Sequence, residues 1–290
     1  MPARDFCLLV LVCLTWATNA IVCKLAFEAG APPLVYASIR SVLIALAVSP
    51  WLLPLPPNAI RMAVAAFLIG GGSFGLVFVG LATASPSGVA IVQQLSVPMT
   101  TLLSVVVLGE LIRWRRGLGI VMTLAGVLLV MWRPEAAGLE TGLALAAVSA
   151  IASSIGAIML KQMPAIQPLQ FQAWVGLTGI APLFIASLVF EDGQVEGLIR
   201  SGWLFIGAVI FSALIVSVVT HTVYYWFVHR YDASLVAPLM LMVPLFTIAL
   251  GVLFTGDSFD LRMALGSLLA ILGVLVIVQR TSRPEFRPGP

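Results

Sequence analysis

Apolar runs of about twenty residues, separated by short polar breaks, follow one another along the whole chain, and this constrains its fold more than any other feature. A helix needs about 20 mostly apolar residues to cross the hydrocarbon core of a bilayer. Ten stretches qualify: Asp5–Glu28, Leu34–Leu53, Arg61–Leu81, Ser85–Leu108, Arg115–Trp132, Leu139–Met163, Pro168–Val189, Trp203–Val228, Asp232–Phe254 and Leu261–Val278. The breaks carry turn or charge chemistry, such as Pro-Leu-Pro-Pro at 54–57, Arg-Trp-Arg-Arg at 113–116, Arg-Pro-Glu at 133–135 and Glu-Asp-Gly at 191–193. Only 9% of the 290 residues are charged, where a soluble domain carries roughly 25%, so no connecting loop can fold by itself. The expected class is an all-α integral membrane protein embedded in a lipid bilayer.

The same composition excludes other classes. A net charge of +3 with no basic stripe cannot neutralise a run of phosphates, so nucleic acid is not a partner. Cys7, Cys13 and Cys23 all fall in the first run, which offers neither a disulfide framework nor a metal knuckle. They read as inert core thiols. No GxxxxGKS/T phosphate loop occurs, so this chain does not burn ATP by itself. No cofactor, metal or obligatory protein partner is expected.

The first run exceeds the about 7–15 apolar residues of a signal-peptide core and is expected to remain as a span. Lys and Arg placement sets the orientation. With a cytoplasmic N-terminus, that side receives Arg4, Arg61, Arg113, Arg115, Arg116, Lys161, Arg230, Arg280, Arg283 and Arg287. Lys24, Arg133, Arg200 and Arg262 remain on the other side. Both termini are therefore expected in the cytoplasm of a cell whose inner membrane holds the protein.

The two halves of the chain resemble each other. Gly119 and Gly126 recur as Gly266 and Gly273, both 147 residues on, within similar apolar sequence. Pro98 falls near Pro244 and Glu110 on Asp257; Lys24 and Lys161 link the first and sixth spans more weakly. With residues 1–135 and 136–290 each holding five spans, an odd number, the second half must enter the membrane from the opposite side. Such inverted repeats are characteristic of secondary transporters, whose site lies near the midplane between the repeats.

Two five-span repeats, each ending in Pro…Gly-Glu/Asp…Gly…Gly before an apolar helix, resemble the EamA branch of the drug/metabolite transporter superfamily. The residues that carry the resemblance are Pro98, Gly109, Glu110, Gly119 and Gly126, then Pro244, Gly256, Asp257, Gly266 and Gly273. It implies a carrier of small metabolites, often an inner-membrane exporter, with the fifth and tenth helices at the periphery of a central cavity. Within the family the resemblance is strongest to bacterial exporters of aromatic amino acids.

Polar residues at helical spacing mark a cavity or a packed seam. Gln93, Ser96, Thr100 and Ser104 lie within about 80° on the fourth span, with Gln94 beside them. Ser217, Thr220, His221, Tyr224 and Tyr225 form a second stripe on the eighth. The offset of 147 carries Phe74 and Phe78 onto His221 and Tyr225, which would wall one space with aromatics from both sides. Phe171, Trp174 and Thr178 on the seventh span and Thr15, Trp16 and Asn19 on the first complete the candidate lining. The substrate-binding candidates are thus Trp16, Asn19, Phe74, Phe78, Gln93, Gln94, Trp174, His221, Tyr224 and Tyr225. Each hydroxyl also fits helix packing, and each indole also fits plain filling.

Lys24 and Arg40 are assigned to the outer ends of the first two spans. Snorkelling or pairing with Glu28 is one reading, a positive outer vestibule the other. Pro86, Pro98, Pro238 and Pro244 interrupt the fourth and ninth spans, and each removes a backbone hydrogen bond. Matched kinks of this kind suit a hinge for alternating access, although static kinks are also consistent. No acid lies mid-span, which disfavours cationic drugs, and peripheral cations disfavour sugar phosphates. Amides, hydroxyls and rings suit a neutral amino acid, aromatic above all. Another amphiphilic metabolite or drug-like compound is the competing cargo. A membrane enzyme acting on lipids is the other class, and it lacks a nucleophile–base set here.

Overall fold

The computed structural model describes residues 1–109, 114–133, 138–164, 166–231 and 233–278. Glu110, Arg113, Asp232, Arg280, Arg283 and Arg287, used above for the motif, the span boundaries and the charge balance, lie outside the described residues, as do Pro134 and Glu135.

Among the described residues ten apolar helices form the structure: α1 Ala3–Glu28, α2 Pro33–Ala47, α3 Ala59–Thr83, α4 Pro86–Leu108, α5 Trp114–Met131, α6 Thr141–Lys161, α7 Pro168–Phe190, α8 Gln194–Phe227, α9 Leu235–Thr255 and α10 Leu261–Val278. Each matches a span read from sequence, because the turn chemistry between runs sets where helices stop. A short antiparallel pair, Trp132–Arg133 with Gly138–Leu139, accompanies the link from α5 to α6.

Two boundaries differ from expectation. The second run is α-helical only to Ala47 and then makes a 3-10 turn over Ser49–Leu52, because Pro50 has no N–H to continue the ladder. Before the expected start of the eighth span, Gln194–Ser201 forms extra helical turns, and Gly202 then breaks the direction at φ 52°, ψ −131°. That backbone is open to glycine and strained for other residues.

Packing follows the repeat. Helix α1 packs against α8 and α9, while α6 packs against α3 and α4; α2 meets α7 and α5 meets α10 across the axis. These are the pairings that exchange of the two halves predicts. Local irregularities repeat too. A π-helical stretch at Phe67–Gly71 in α3 maps, 147 residues on, inside the one at Phe211–Thr220 in α8. The 3-10 turn Gln93–Leu95 in α4 maps onto the break at Met240–Leu241 in α9. Gly109 and Gly256 end α4 and α9 in left-handed conformations, φ 68° and 65°.

The shared glycines explain themselves in the α5–α10 seam. A Cβ on Gly126 would lie 2.5 Å from both Ala270 N and Gly266 O, and one on Gly273 2.6 Å from Thr123 N. These glycines therefore bring two backbones together and take no part in the cleft.

Carboxylates tie the helix ends. Glu191 accepts the backbone N–H groups of Leu34 (2.7 Å) and Val35 (3.2 Å), capping α2 from the end of α7. Asp257 accepts Ser87 N–H (2.9 Å) and the Ser87 hydroxyl at the start of α4. A carboxylate opposite a helix N-terminus satisfies orphan donors and the dipole together. At the other end of the bundle the Tyr231 hydroxyl donates to Asp5, which holds its pKa above the ordinary value.

Candidate functional site

Helices α2, α3, α7 and α8 surround a narrow cleft of about 30 Å³, too small in this state for an amino acid, lined by Arg40, Ile69, Gly70, Phe74, Phe171, Gln172, Val175, His221 and Tyr225. Both halves of the chain contribute, as the inverted repeat requires. Close approach of α3 to α7 makes the floor: a Cβ on Gly70 would stand 2.2 Å from Val175, and one on Gly71 2.6 Å from Gly179 Cα.

Arg40 corrects the sequence expectation. It lies seven residues from either end of α2, or about 10 Å at 1.5 Å per residue, and is 2% exposed. Snorkelling fails because the side chain points into the bundle. Its Nη2 donates to the Ser217 hydroxyl at 2.6 Å, and the Ser217 hydroxyl donates to Ser212 O at 2.8 Å. Its guanidinium carbon stands 4.0 Å from the Phe74 ring centre and 5.7 Å from that of Phe78. The Nε of Arg40 has no hydrogen-bond partner among the described residues. Lys24 behaves as expected, pairing with Glu28 at 3.6 Å and donating to Ala82 O at 3.3 Å.

His221 and Tyr225 sit one helical turn apart on the cleft face of α8. The π-helical stretch lets His221 Nδ1 reach Val216 O at 2.8 Å. A carbonyl can only accept, so Nδ1 carries the hydrogen and Nε2 is left as the ring's acceptor. Trp16 meets His221 at 5.1 Å and Tyr224 at 5.3 Å between ring centres, and Tyr224 meets Tyr225 at 6.0 Å. The indole N–H of Trp16 is buried without a partner among the described residues.

Beyond Arg40, toward the Glu28 end, the rings close ranks. Phe78 packs on Tyr36 (5.2 Å) and Phe27 (5.8 Å), and Tyr36 on Phe205 (5.8 Å). The Tyr36 hydroxyl donates to Ala208 O at 2.7 Å. All four rings are buried, so the bundle is shut on that side. Phe78 thus belongs to the seal, while Phe74 belongs to the cleft.

Other candidates lie elsewhere. Gln93 donates to the Ser149 hydroxyl at 3.3 Å, and Ser149 donates in turn to Ser73 O at 2.9 Å; this is the seam between α3, α4 and α6. Gln94 is half-buried in the same turn. Asn19 is buried beside Cys23, whose thiol meets its Oδ1 at 3.8 Å. Trp174 does not line the cleft itself but packs directly behind it, with Met62, Ala66 and the lining residues Phe171 and Val175. Cys13 and Cys23 are buried, whereas Cys7 is exposed on the outer surface of α1 and is no core thiol.

The prolines divide similarly. Pro86 occupies the first position of α4, with Ser85 accepting Gly88 N–H as its cap. No intrahelical bond exists there to lose, so Pro86 does not interrupt the helix. Pro98 and Pro244 are each third in the segment that restarts after a break, Ser96–Leu108 and Met242–Leu250. Pro238 is the next-to-last residue of the segment before the second break, Ala233–Leu239.

Sequence reasoning missed Gln172 and the depth of Arg40. Gln172 is 4% exposed on the cleft face of α7, one residue round from the predicted Phe171–Trp174–Thr178 face. A cation lying inside an apolar run was the available signal for Arg40.

Comparison with known proteins completes the picture. The chain is 25% identical to the Escherichia coli (strain K12) protein named probable amino-acid metabolite efflux pump, over 96% of each. It is equally similar to the protein of the same name from Salmonella typhimurium (strain LT2), over 98% of this chain and 99% of that one. An uncharacterized transporter of Archaeoglobus fulgidus is 27% identical over 67% of this chain and 68% of its own. A solved crystal structure, 19% identical, shares the fold with a TM-score of 0.61 over 95% of this chain and 99% of that one. Residues 5–132 and 140–279 each match the EamA-like transporter family, so this ten-helix membrane protein belongs to that family.

Proposed function

We propose that the protein is a secondary transporter that exports amino acids, aromatic and other neutral ones foremost, across the bacterial inner membrane by alternating access. The observation that carries this reading is a cleft built jointly by the two repeats and walled by Phe74, Phe171, His221 and Tyr225. Ring faces there suit an apolar or aromatic side chain. The seal of Phe27, Tyr36, Phe78 and Phe205 on one side is what a one-sided state of an alternating carrier requires. Breaks beside Pro98 and Pro244 in equivalent helices supply bending points. Two curated relatives named as amino-acid metabolite efflux pumps support the cargo class. The basic residues Arg61, Arg115, Arg116 and Lys161 favour a cytoplasmic location for the Asp5 end.

The test is flux from proteoliposomes loaded with labelled phenylalanine, tryptophan, leucine or alanine, with and without a pH gradient. Release of phenylalanine above empty-liposome background is expected. Retention of every neutral amino acid would refute the cargo assignment.

A further inference from the structure

Arg40 is a fully buried cation whose charge has no counter-ion among the described residues. Its neighbours are a serine hydroxyl and the faces of two rings. None of the residues lining the cleft is acidic. Among the described residues, the ion pairs lie at the helix ends, at Lys24–Glu28, Arg230–Asp5 and Arg262–Asp260. A buried charge is ordinarily paired or neutralised, and a guanidinium matches a carboxylate by a two-pronged hydrogen bond.

We infer that Arg40 is the carboxylate anchor of the cleft, so that the cargo must carry a carboxylate and need not carry an ammonium group. The recognised class is an aromatic or apolar monocarboxylate, of which amino acids are one kind. This deepens the transporter reading and rests on it for its biological sense.

The chemistry follows from the donors present. Ser217 fixes Nη2 while Nε is left without an acceptor among the described residues, so a carboxylate oxygen arriving from the cleft would meet a donor already desolvated. Phe74 stands against the guanidinium at 4.0 Å and restricts where it can turn. An ammonium would find no carboxylate in the lining. Its available partners are the ring faces and the acceptor Nε2 of His221, which are weaker and dispensable.

Binding to purified protein in nanodiscs tests this without requiring flux. The probe is tritiated 3-phenylpropionate, displaced by unlabelled 3-phenylpropionate, phenylalanine, 3-phenylpropanamide or phenethylamine. The acid and the amino acid are expected to displace it at least tenfold more strongly than the amide or the amine. Arg40→Gln should abolish that preference, and Arg40→Lys should retain it at reduced affinity. Equal displacement by acid and amide in the native protein, no binding of the acid, or an undiminished acid preference in Arg40→Gln would overturn the inference. Should Arg40→Gln fail to fold, the native protein and Arg40→Lys still decide it. Phenylalanine flux that survives in Arg40→Gln would refute the anchor and leave the transporter standing. Arg40-dependent binding without any flux would do the reverse.

Discussion

The Arg40 guanidinium stands over the ring of Phe74 at 4.0 Å, joining the middle of α2 to the middle of α3. A cation held against a ring in a desolvated site gains about 2 kcal/mol, against about 0.5–1 where water competes. The contact thus holds in place a charge that would otherwise be expensive to bury.

Replacing Phe74 should therefore cost stability according to ring character rather than size. Phe74→Leu is expected to destabilise the protein by about 1–2 kcal/mol, with Phe74→Tyr close to native, read by thermal unfolding in detergent. Equal midpoints for the two variants would count against the contact.

The glycine seam makes a paired prediction. Gly126→Ala places a methyl 2.5 Å from backbone atoms of α10, and overpacking of this kind costs about 1–3 kcal/mol. Gly207→Ala meets nothing within 4 Å and should gain about 0.5–1 kcal/mol from helix propensity. Thermal unfolding and monodispersity on size exclusion should move in opposite directions for the two.

Glu191 fastens the helix that carries Arg40. Loss of its bonds to Leu34 and Val35 in Glu191→Ala should cost about 1.5–3 kcal/mol, and Glu191→Gln, which keeps an acceptor, should cost less. Hydrogen exchange at Leu34 and Val35 gives a local measure, faster in the Ala variant. Unchanged exchange would show that the cap is idle.

Cysteine accessibility separates the two polar stripes. In a background with Cys7 replaced, Tyr225→Cys should react quickly with a water-soluble thiol reagent and be protected by phenylalanine, because Tyr225 lines the cleft. Gln93→Cys, in the seam against Ser149, should react slowly. The reverse order of rates would relocate the water-filled space to α4.

Pro98 and Pro244 can be tested as bending points. Pro98→Ala and Pro244→Ala each restore a backbone donor and are expected to slow maximal flux several-fold with little change in the half-saturating concentration. Native flux in both variants would make the breaks static.

Much of the fold was legible because a bilayer removes alternatives. Backbone groups in hydrocarbon must bond within their own helix, so runs of apolar residues and their breaks locate ten helices almost unaided. The repeat at 147 was legible for a related reason: Gly119, Gly126, Gly266 and Gly273 are dictated by backbone approach, which only glycine permits. The cleft was partly legible. Phe74, His221 and Tyr225 fall on it because the repeat relates their positions and the rings crowd one helical face.

What failed was the rotation and partnering of individual helices. A stripe on α4 looks like a cavity wall by periodicity, yet Gln93 faces α6, because spacing gives a face and not the neighbour it meets. The lining of α7 keeps Phe171 but continues through Gln172 and Val175 rather than Trp174, since Gly176 and Gly179 draw that helix against α2 and α3. Distance along the chain placed Arg40 near an interface, but α2 is short, ending where Pro50 stops the ladder, which makes residue 40 its centre. Sequence by itself determined the class, the helices and the inverted repeat, because these depend on burial in lipid and on local backbone chemistry. Tertiary structure alone decided that a cation lies buried beneath an aromatic seal, because only the packing of α2 against α3 and α8 fixes where a side chain six bonds long must end.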